Sequence, residues 1–268
     1  MALAQTAPPT ENRTEEIVFP PSDLYSDEPQ LETYLHLQQI IALLTSLEWW
    51  WRDRQDFFAA GNLTIYYSPQ QKKSQDFRGP DFFLVRDTER KPRKSWVVWA
   101  EGGKYPNLII EVLSDTTADT DRGTKKDIYQ NIFRTPEYFW IDPDTLEFAG
   151  FVLVAGKYEP IPPNPNGWMW SQQLELFVGV YEDKLRFFTA EGNLVPTPPE
   201  AAQTAQEQAQ TAQEQAQTAQ EQAQTAQEQA QTAQEQAQIA QEQLERQRQR
   251  EAKLAAKLRE LNIDPDTL

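Results

Sequence analysis

The stretch NLIIEVLSDTTADTDRGTKKDIYQNIFRTPEYFWIDP, residues 107–143 of a 268-residue chain, decides the fold. NLIIEVLS (107–114) is an apolar run broken by a single charge, Glu111. That pattern fits a central strand buried on both faces. From Ser114 onward Ser, Asp and Thr offer helix caps, and the residues after them read as a helix of about 12 residues that Pro136 ends. EYFWIDP (137–143) reads as the next strand, closed by Pro143.

Upstream, NLTIYYSP (62–69) and DFFLVRD (81–87) read as strands, and WVVWAEGG (96–103) as a strand edge running into a turn. In residues 31–51, Leu35, Ile40, Leu43, Leu44 and Leu47 recur at three- and four-residue spacing, which predicts an amphipathic helix. Trp49, Trp50 and Trp51 cannot all face inward on it. Downstream, FAGFVLV and GKYEPI predict a hairpin through Ala155-Gly156, and VYEDKLRFFTAEGNLVP a final strand-turn segment. The result is a mixed α/β domain around one sheet.

All 8 Trp, 9 Tyr and 13 Phe lie before residue 190, and beyond Glu200 Gln and Ala dominate. The chain therefore divides into a Pro- and acid-rich leader (1–30), a packable domain (31–195), a Pro-rich linker (196–203), a helix (204–262) and a tail (263–268). In the helix, TAQEQAQ begins at Thr204, Thr211, Thr218, Thr225 and Thr232, with a looser copy at Ile239. Ala recurs with 4-3 spacing on one stripe that keeps phase to Leu244, Leu254, Leu258 and Leu261. Either a weakly self-associating coiled coil or a solvated spacer accounts for it, since Ala buries little area per heptad.

Lys and Arg number 25 against 41 Asp and Glu, a net charge of −16. An acidic chain repels polyanions at long range, yet residues 52–94 carry 10 basic and 6 acidic side chains. Without cysteine there are no disulfides, thiol nucleophiles or Cys-ligated metals, and the single histidine excludes a multi-histidine cage. Residues 1–20 lack the apolar stretch of a signal peptide, and no apolar run is long enough to span a membrane. The expectation is a soluble, cytoplasmic protein.

Chemistry concentrates between Pro80 and Asp142. Asp81 opens a strand after Gly79-Pro80, Glu111 interrupts an apolar strand, and Lys125 and Lys126 lie on the next helix. A carboxylate in such a strand must be neutralised, paired or bound to a cation. Two carboxylates and a lysine suit metal-assisted hydrolysis, with oxygen ligands for a hard cation such as Mg²⁺. Taken singly, Asp81 reads as a turn residue and Lys125 as a solvated helix lysine. Asp115, Asp119 and Asp121 read as cap and loop carboxylates, Asp142 and Asp144 as turn residues, and His36 as packing. Tyr129, Tyr138, Phe139 and Trp140 read as core. Arg86, Arg90, Lys91, Arg93 and Lys94 form either a solvated loop or a phosphate-contacting one.

The runs GPDFFLV, NLIIEVLSDTT and DRGTKKDIYQNIFRTPEYFWIDP together resemble the Uma family of restriction-endonuclease-like domains, abundant in cyanobacteria, within the PD-(D/E)XK nuclease superfamily. The resemblance covers roughly residues 30–190. It implies a restriction-endonuclease-like mixed sheet flanked by helices, dependence on Mg²⁺ or Mn²⁺, and hydrolysis of DNA phosphodiester bonds. By that resemblance Asp81 and Glu111 are metal ligands and catalytic residues, and Lys125, four residues before Tyr129, is the catalytic lysine, with Lys126 in reserve. Leu113 stands where the superfamily's lysine would fall, and the early Glu of such domains is not recognisable. The competing reading is a silent nuclease fold that assembles through residues 204–262; a third is hydrolysis of another phosphate ester.

Overall fold

Fifteen elements succeed one another in the computed structural model, which describes residues 22–26, 33–68, 77–114 and 121–260. They are α1 (Tyr34–Trp50), β1 (Phe57–Gly61), β2 (Ile65–Tyr66), β3 (Phe77–Arg78), β4 (Phe82–Arg86), β5 (Trp96–Val97), β6 (Leu108–Val112) and α2 (121–133). Then come β7 (Glu137–Ile141), β8 (Phe148–Val154), β9 (Lys157–Pro160), β10 (Met169–Ser171), β11 (Leu176–Tyr181), β12 (Lys184–Phe188) and α3 (Pro198–Glu260). Met1–Ala201 and Ala202–Leu268 form two separate units.

The central sheet has the order β1-β4-β6-β7-β8-β9. Its β6–β7 pair is parallel and its other pairs are antiparallel. The parallel pair requires a crossover, and α2 supplies it. β6 and β7 are buried along their whole length, as the apolar runs predict. Two further three-stranded sheets, β10-β11-β12 and β3-β2-β5, replace the single sheet expected from the sequence.

The alternation of side chains along the central strands divides the core in two. Phe82, Leu84, Leu108, Ile110 and Val112 point to one face, where Ile40, Leu43 and Leu47 of α1 meet Leu176, Val178, Leu185 and Phe187 of the β10–β12 sheet. Phe83, Val85, Ile109 and Leu113 point to the other, beneath Tyr129 and Phe133 of α2 and beside Trp96. Full burial of each such side chain is worth about 1.5–3 kcal/mol. Gln39 of α1 donates to Leu185 O and accepts from Leu185 N, each at 2.9 Å, so a buried amide holds the helix to β12. Of the three indoles, Trp51 is buried and Trp50 exposed.

Gly61 lets α1 come close to β1. A Cβ there would lie 2.3 Å from Ile40 Cγ2 and 3.3 Å from the carbonyl oxygen of Asp81. Gly61→Ala is expected to cost about 1–3 kcal/mol by overpacking. In urea melts the loss should shrink in the Gly61→Ala/Ile40→Ala double variant, whose coupling reports the contact. The turns also match their chemistry. Ala155 (φ 48°) and Gly156 (φ 86°) make the predicted hairpin turn between β8 and β9; two successive positive φ angles are the type I′ signature.

α3 begins at Pro198, inside the stretch read as a linker. Thr197-Pro198-Pro199-Glu200 is a helix start in its own right. Prolines in the first turn give up N–H groups that have no partner there, and Glu200 reaches back to accept from Thr197 N at 2.7 Å as in a capping box. Glu200 also takes two hydrogen bonds from the buried Arg186 guanidinium, at 2.6 and 3.0 Å. Arg186 holds the Glu200 carboxyl down at about 2, against the cost of burial. A depressed folded value stabilises above the unfolded value, near 4.3, and the gain fades as pH falls through the folded one. With 43% of the Glu200 side chain exposed, Glu200→Gln should cost only about 1 kcal/mol at pH 7 after screening. In melts repeated toward pH 2 the difference from wild type should vanish.

Beyond Ala202 the described helix is exposed throughout apart from partial cover at Ala255 and Leu258. Its 63 residues make a rod of about 95 Å. Thr211, Thr218, Thr225 and Thr232 each donate to the carbonyl four residues back, and Gln203 and Gln210 donate to Glu207 and Glu214. The tail expected at 263–268 and all of the leader except residues 22–26 lie outside the described residues.

Candidate active site

The β4–β6 register sets the site. Phe82 stands opposite Ile110, so Asp81, one residue before β4, comes beside Glu111. Counting alternate residues puts both on the α2 face of the sheet, with Phe83 and Ile109. Glu111 is fully buried and Asp81 is 7% exposed. Asp81 N donates to Glu111 Oε2 at 3.3 Å, and Val112 N donates to Asp81 Oδ2 at 2.7 Å. Each carboxylate is thus gripped by backbone from the other's strand.

α2 brings the cation. Its centre, Lys126–Ile128, is α-helical and is flanked by π-helical turns Asp121–Lys125 and Tyr129–Phe133. Lys125 and Tyr129 sit four apart and so share a face. Lys125 Nζ lies 3.2 Å from Glu111 Oε2, and Tyr129 donates its hydroxyl to Glu111 Oε1 at 2.6 Å. Lys126 points elsewhere, with Nζ 3.4 Å above the Phe151 ring. Of the two lysines read from the sequence, Lys125 is the one beside the carboxylates.

α1 adds a residue that its sequence context assigns to packing. His36 is 6% exposed and its Nε2 lies 2.7 Å from Asp81 Oδ1. The Thr33 cap accepts from His36 N at 3.1 Å and so fixes the first turn. A histidine on the same stripe as Ile40, Leu43 and Leu47 was the available signal, because a buried imidazole needs a partner. Tyr129 reads as core and is buried, but its hydroxyl holds Glu111.

Burial pushes the Asp81 carboxyl up. The His36 hydrogen bond, the Lys125 ammonium and the Val112 amide outweigh that and hold it below the usual carboxylate range. Its ionised form therefore contributes stability above about pH 3.9, and this is lost as pH falls through the lower folded value.

Of the other sequence candidates, Asp142 holds a turn: its Oδ1 accepts from Asp144 N and Thr145 N, the role expected of it. Asp115 and Asp119, and the side chain of Asp121, lie outside the described residues. The basic run is neutralised: Arg86 pairs with Glu175, Arg90 with Glu48, Lys91 with Glu89, Arg93 with Glu101 and Lys94 with Asp23. Each of these cations has a carboxylate within reach, and the Lys91 and Lys94 pairs lie at the exposed surface.

The donor set suits a hard divalent ion. Asp81 and Glu111 offer oxygen atoms only, and among the described residues each Asp81 oxygen accepts a single hydrogen bond, which leaves a second lone pair. Among the described residues no three of His, Asp and Glu converge as a cage. Mg²⁺ fits such a site, because it is commonly held by one or two carboxylates together with waters and substrate phosphate.

Among the described residues no helix is long and apolar enough to cross a membrane. A solved structure from Anabaena variabilis ATCC 29413, a "putative nuclease belonging to DUF820", is 16% identical to this chain with a TM-score of 0.41, covering 57% of this chain and 80% of that one. No curated protein matches. Residues 28–181, more than half of the chain and a span that contains His36, Asp81, Glu111, Lys125 and Tyr129, match the family Uma2, "Putative restriction endonuclease". The chain belongs to the Uma2 family.

Proposed function

We propose that the protein is a divalent-metal-dependent endonuclease that hydrolyses phosphodiester bonds in DNA, with Asp81 and Glu111 as ligands for Mg²⁺ or Mn²⁺. The observation that carries this reading is the meeting of two buried carboxylates from neighbouring strands with the Lys125 ammonium on one face. When bound, the ion would lower the pKa of a water and neutralise charge developing on phosphate. Lys125, with 20% of its side chain exposed, can place its ammonium against a phosphate oxygen or the attacking water. Tyr129 keeps Glu111 from rotating, and the Val112 amide does the same for Asp81. Incubation of the full chain with supercoiled plasmid and Mg²⁺ or Mn²⁺ tests the proposal. Nicking or linearisation that EDTA stops is expected, and plasmid left intact with either metal would contradict it.

A second reading concerns α3 and a second copy of this chain as partner. Its heptads set Ala and then Leu244, Leu254 and Leu258 along one seam, whereas the Thr, Gln and Glu hydrogen bonds lie on the opposite face. Weak self-association through residues 204–262 results if that seam is used. Sedimentation of the full chain should then show species heavier than a monomer that Leu254→Glu/Leu258→Glu disperses. Monomers in both would refute it.

A further inference from the structure

The Asp81 carboxylate is clamped at both oxygens, by the Val112 amide at Oδ2 and by His36 Nε2 at Oδ1, each at 2.7 Å. An ionised carboxylate only accepts, so the second contact requires the proton on Nε2. The other ring nitrogen, Nδ1, is buried without a hydrogen-bond partner among the described residues. That asymmetry decides between two roles for the ring. To ligate an ion through Nε2, a neutral imidazole must move its proton to Nδ1 and bury an N–H that has no acceptor, at a cost of about 1–3 kcal/mol. Ligating histidines almost always donate their second N–H to a carboxylate, carbonyl or water. Only the tautomer with the proton on Nε2 keeps the bond to Asp81 Oδ1, and it is the one the surroundings support.

We propose that His36 is a positioning residue for the metal site: it donates from Nε2 to Asp81 Oδ1, aims that carboxylate at a hard divalent cation, and stays outside the cation's own ligand shell. The proposal rests on the reading of Asp81 and Glu111 as metal ligands. The rest of the fold supports the aim. His36 is fixed at its backbone by the Thr33 cap, and α1 is held against β1 by the close approach at Gly61. Asp81 N is held by Glu111 Oε2, so the ring and the second carboxylate grip the same residue from opposite ends. With both oxygens hydrogen-bonded, rotation of the carboxylate is blocked, and the lone pairs left over keep a single direction. Partners of this kind typically contribute 10–100-fold to metal affinity.

Titration of the full chain with Mn²⁺, read by loss of the free-ion electron paramagnetic resonance signal, tests it. His36→Gln places an amide donor near the position of Nε2, and His36→Leu removes the donor. Affinity in His36→Gln should stay within about three-fold of wild type, less than the net worth of one hydrogen bond. In His36→Leu it should fall by about 10–100-fold. If His36→Leu does not fold, His36→Asn, whose shorter amide does not reach Asp81, serves as the variant without the donor. Pulsed measurements on the wild-type Mn²⁺ complex should show no imidazole nitrogen coupling. Equal affinity in the donor-less variant, failure of Gln to rescue, or a nitrogen coupling at the ion would each overturn the proposal and leave Asp81 and Glu111 as ligands. A wild-type chain that takes up no Mn²⁺ would overturn the metal reading along with it.

Discussion

Glu111→Gln is expected to lower metal-dependent plasmid cleavage by about 10³-fold or more while leaving the protein folded. The loss comes from removing an anionic ligand and with it the charge stabilisation that a bound ion supplies, several kcal/mol in comparable sites. Folding should survive because the amide keeps the shape of the side chain. Its oxygen can still accept from Asp81 N, and the Tyr129 hydroxyl can turn from donor to acceptor. Losing one charge of the Glu111–Lys125 pair costs stability, less where the cation left behind keeps some solvent as Lys125 does, whereas deleting the side chain leaves a hole as well. Glu111→Ala should therefore be as inactive as the Gln variant but melt lower. An inactive Gln variant that still melts in one cooperative transition separates chemistry from folding, and a fully active one would remove Glu111 from the mechanism.

Lys125→Ala should lower the rate by about 10²–10³-fold, the usual loss when one charge-stabilising donor is removed. It also takes a cation away from the fully buried Glu111. Stability should fall toward the lower end of the roughly 3–5 kcal/mol seen when a buried pair is broken, because one partner keeps some solvent. Lys126→Ala is the control. It loses a contact with the Phe151 ring, worth about 0.5–1 kcal/mol, and no contact with either carboxylate. Parallel turnover and urea melts decide the matter. Equal losses of activity in the two variants would mean that the position of Lys125 beside Glu111 has no catalytic consequence.

Much of this arrangement was legible in the sequence because burial leaves a one-dimensional trace. Glu111 is conspicuous in NLIIEVLS since an acid in a strand buried on both faces needs a reason, and the strand lies at the centre of the sheet with parallel β7 beside it. Lys125 was legible only through the family resemblance, and Tyr129, read as core, turns out to share its helix face and to hold Glu111. His36 was harder to read. Its partner is 45 residues away, and a lone histidine on an apolar helical stripe has the same local pattern whether it packs or holds a carboxylate. The basic run left two readings open for the same reason. Arg86, Arg90 and Arg93 look like a cationic loop in sequence, but Glu175, Glu48 and Glu101 neutralise them in the fold. The PTPPE segment has the composition of a linker. It starts a helix because Glu200 has both Thr197 N and the Arg186 guanidinium to bind.

The central claim is that Asp81 and Glu111 jointly hold one divalent ion. Crystals of the full chain soaked in Mn²⁺, with data collected for its anomalous signal, test that most directly. One anomalous peak within about 2.3 Å of an oxygen from each carboxylate is the predicted result. A peak bound to neither residue, or none at all in crystals that diffract well, would contradict it.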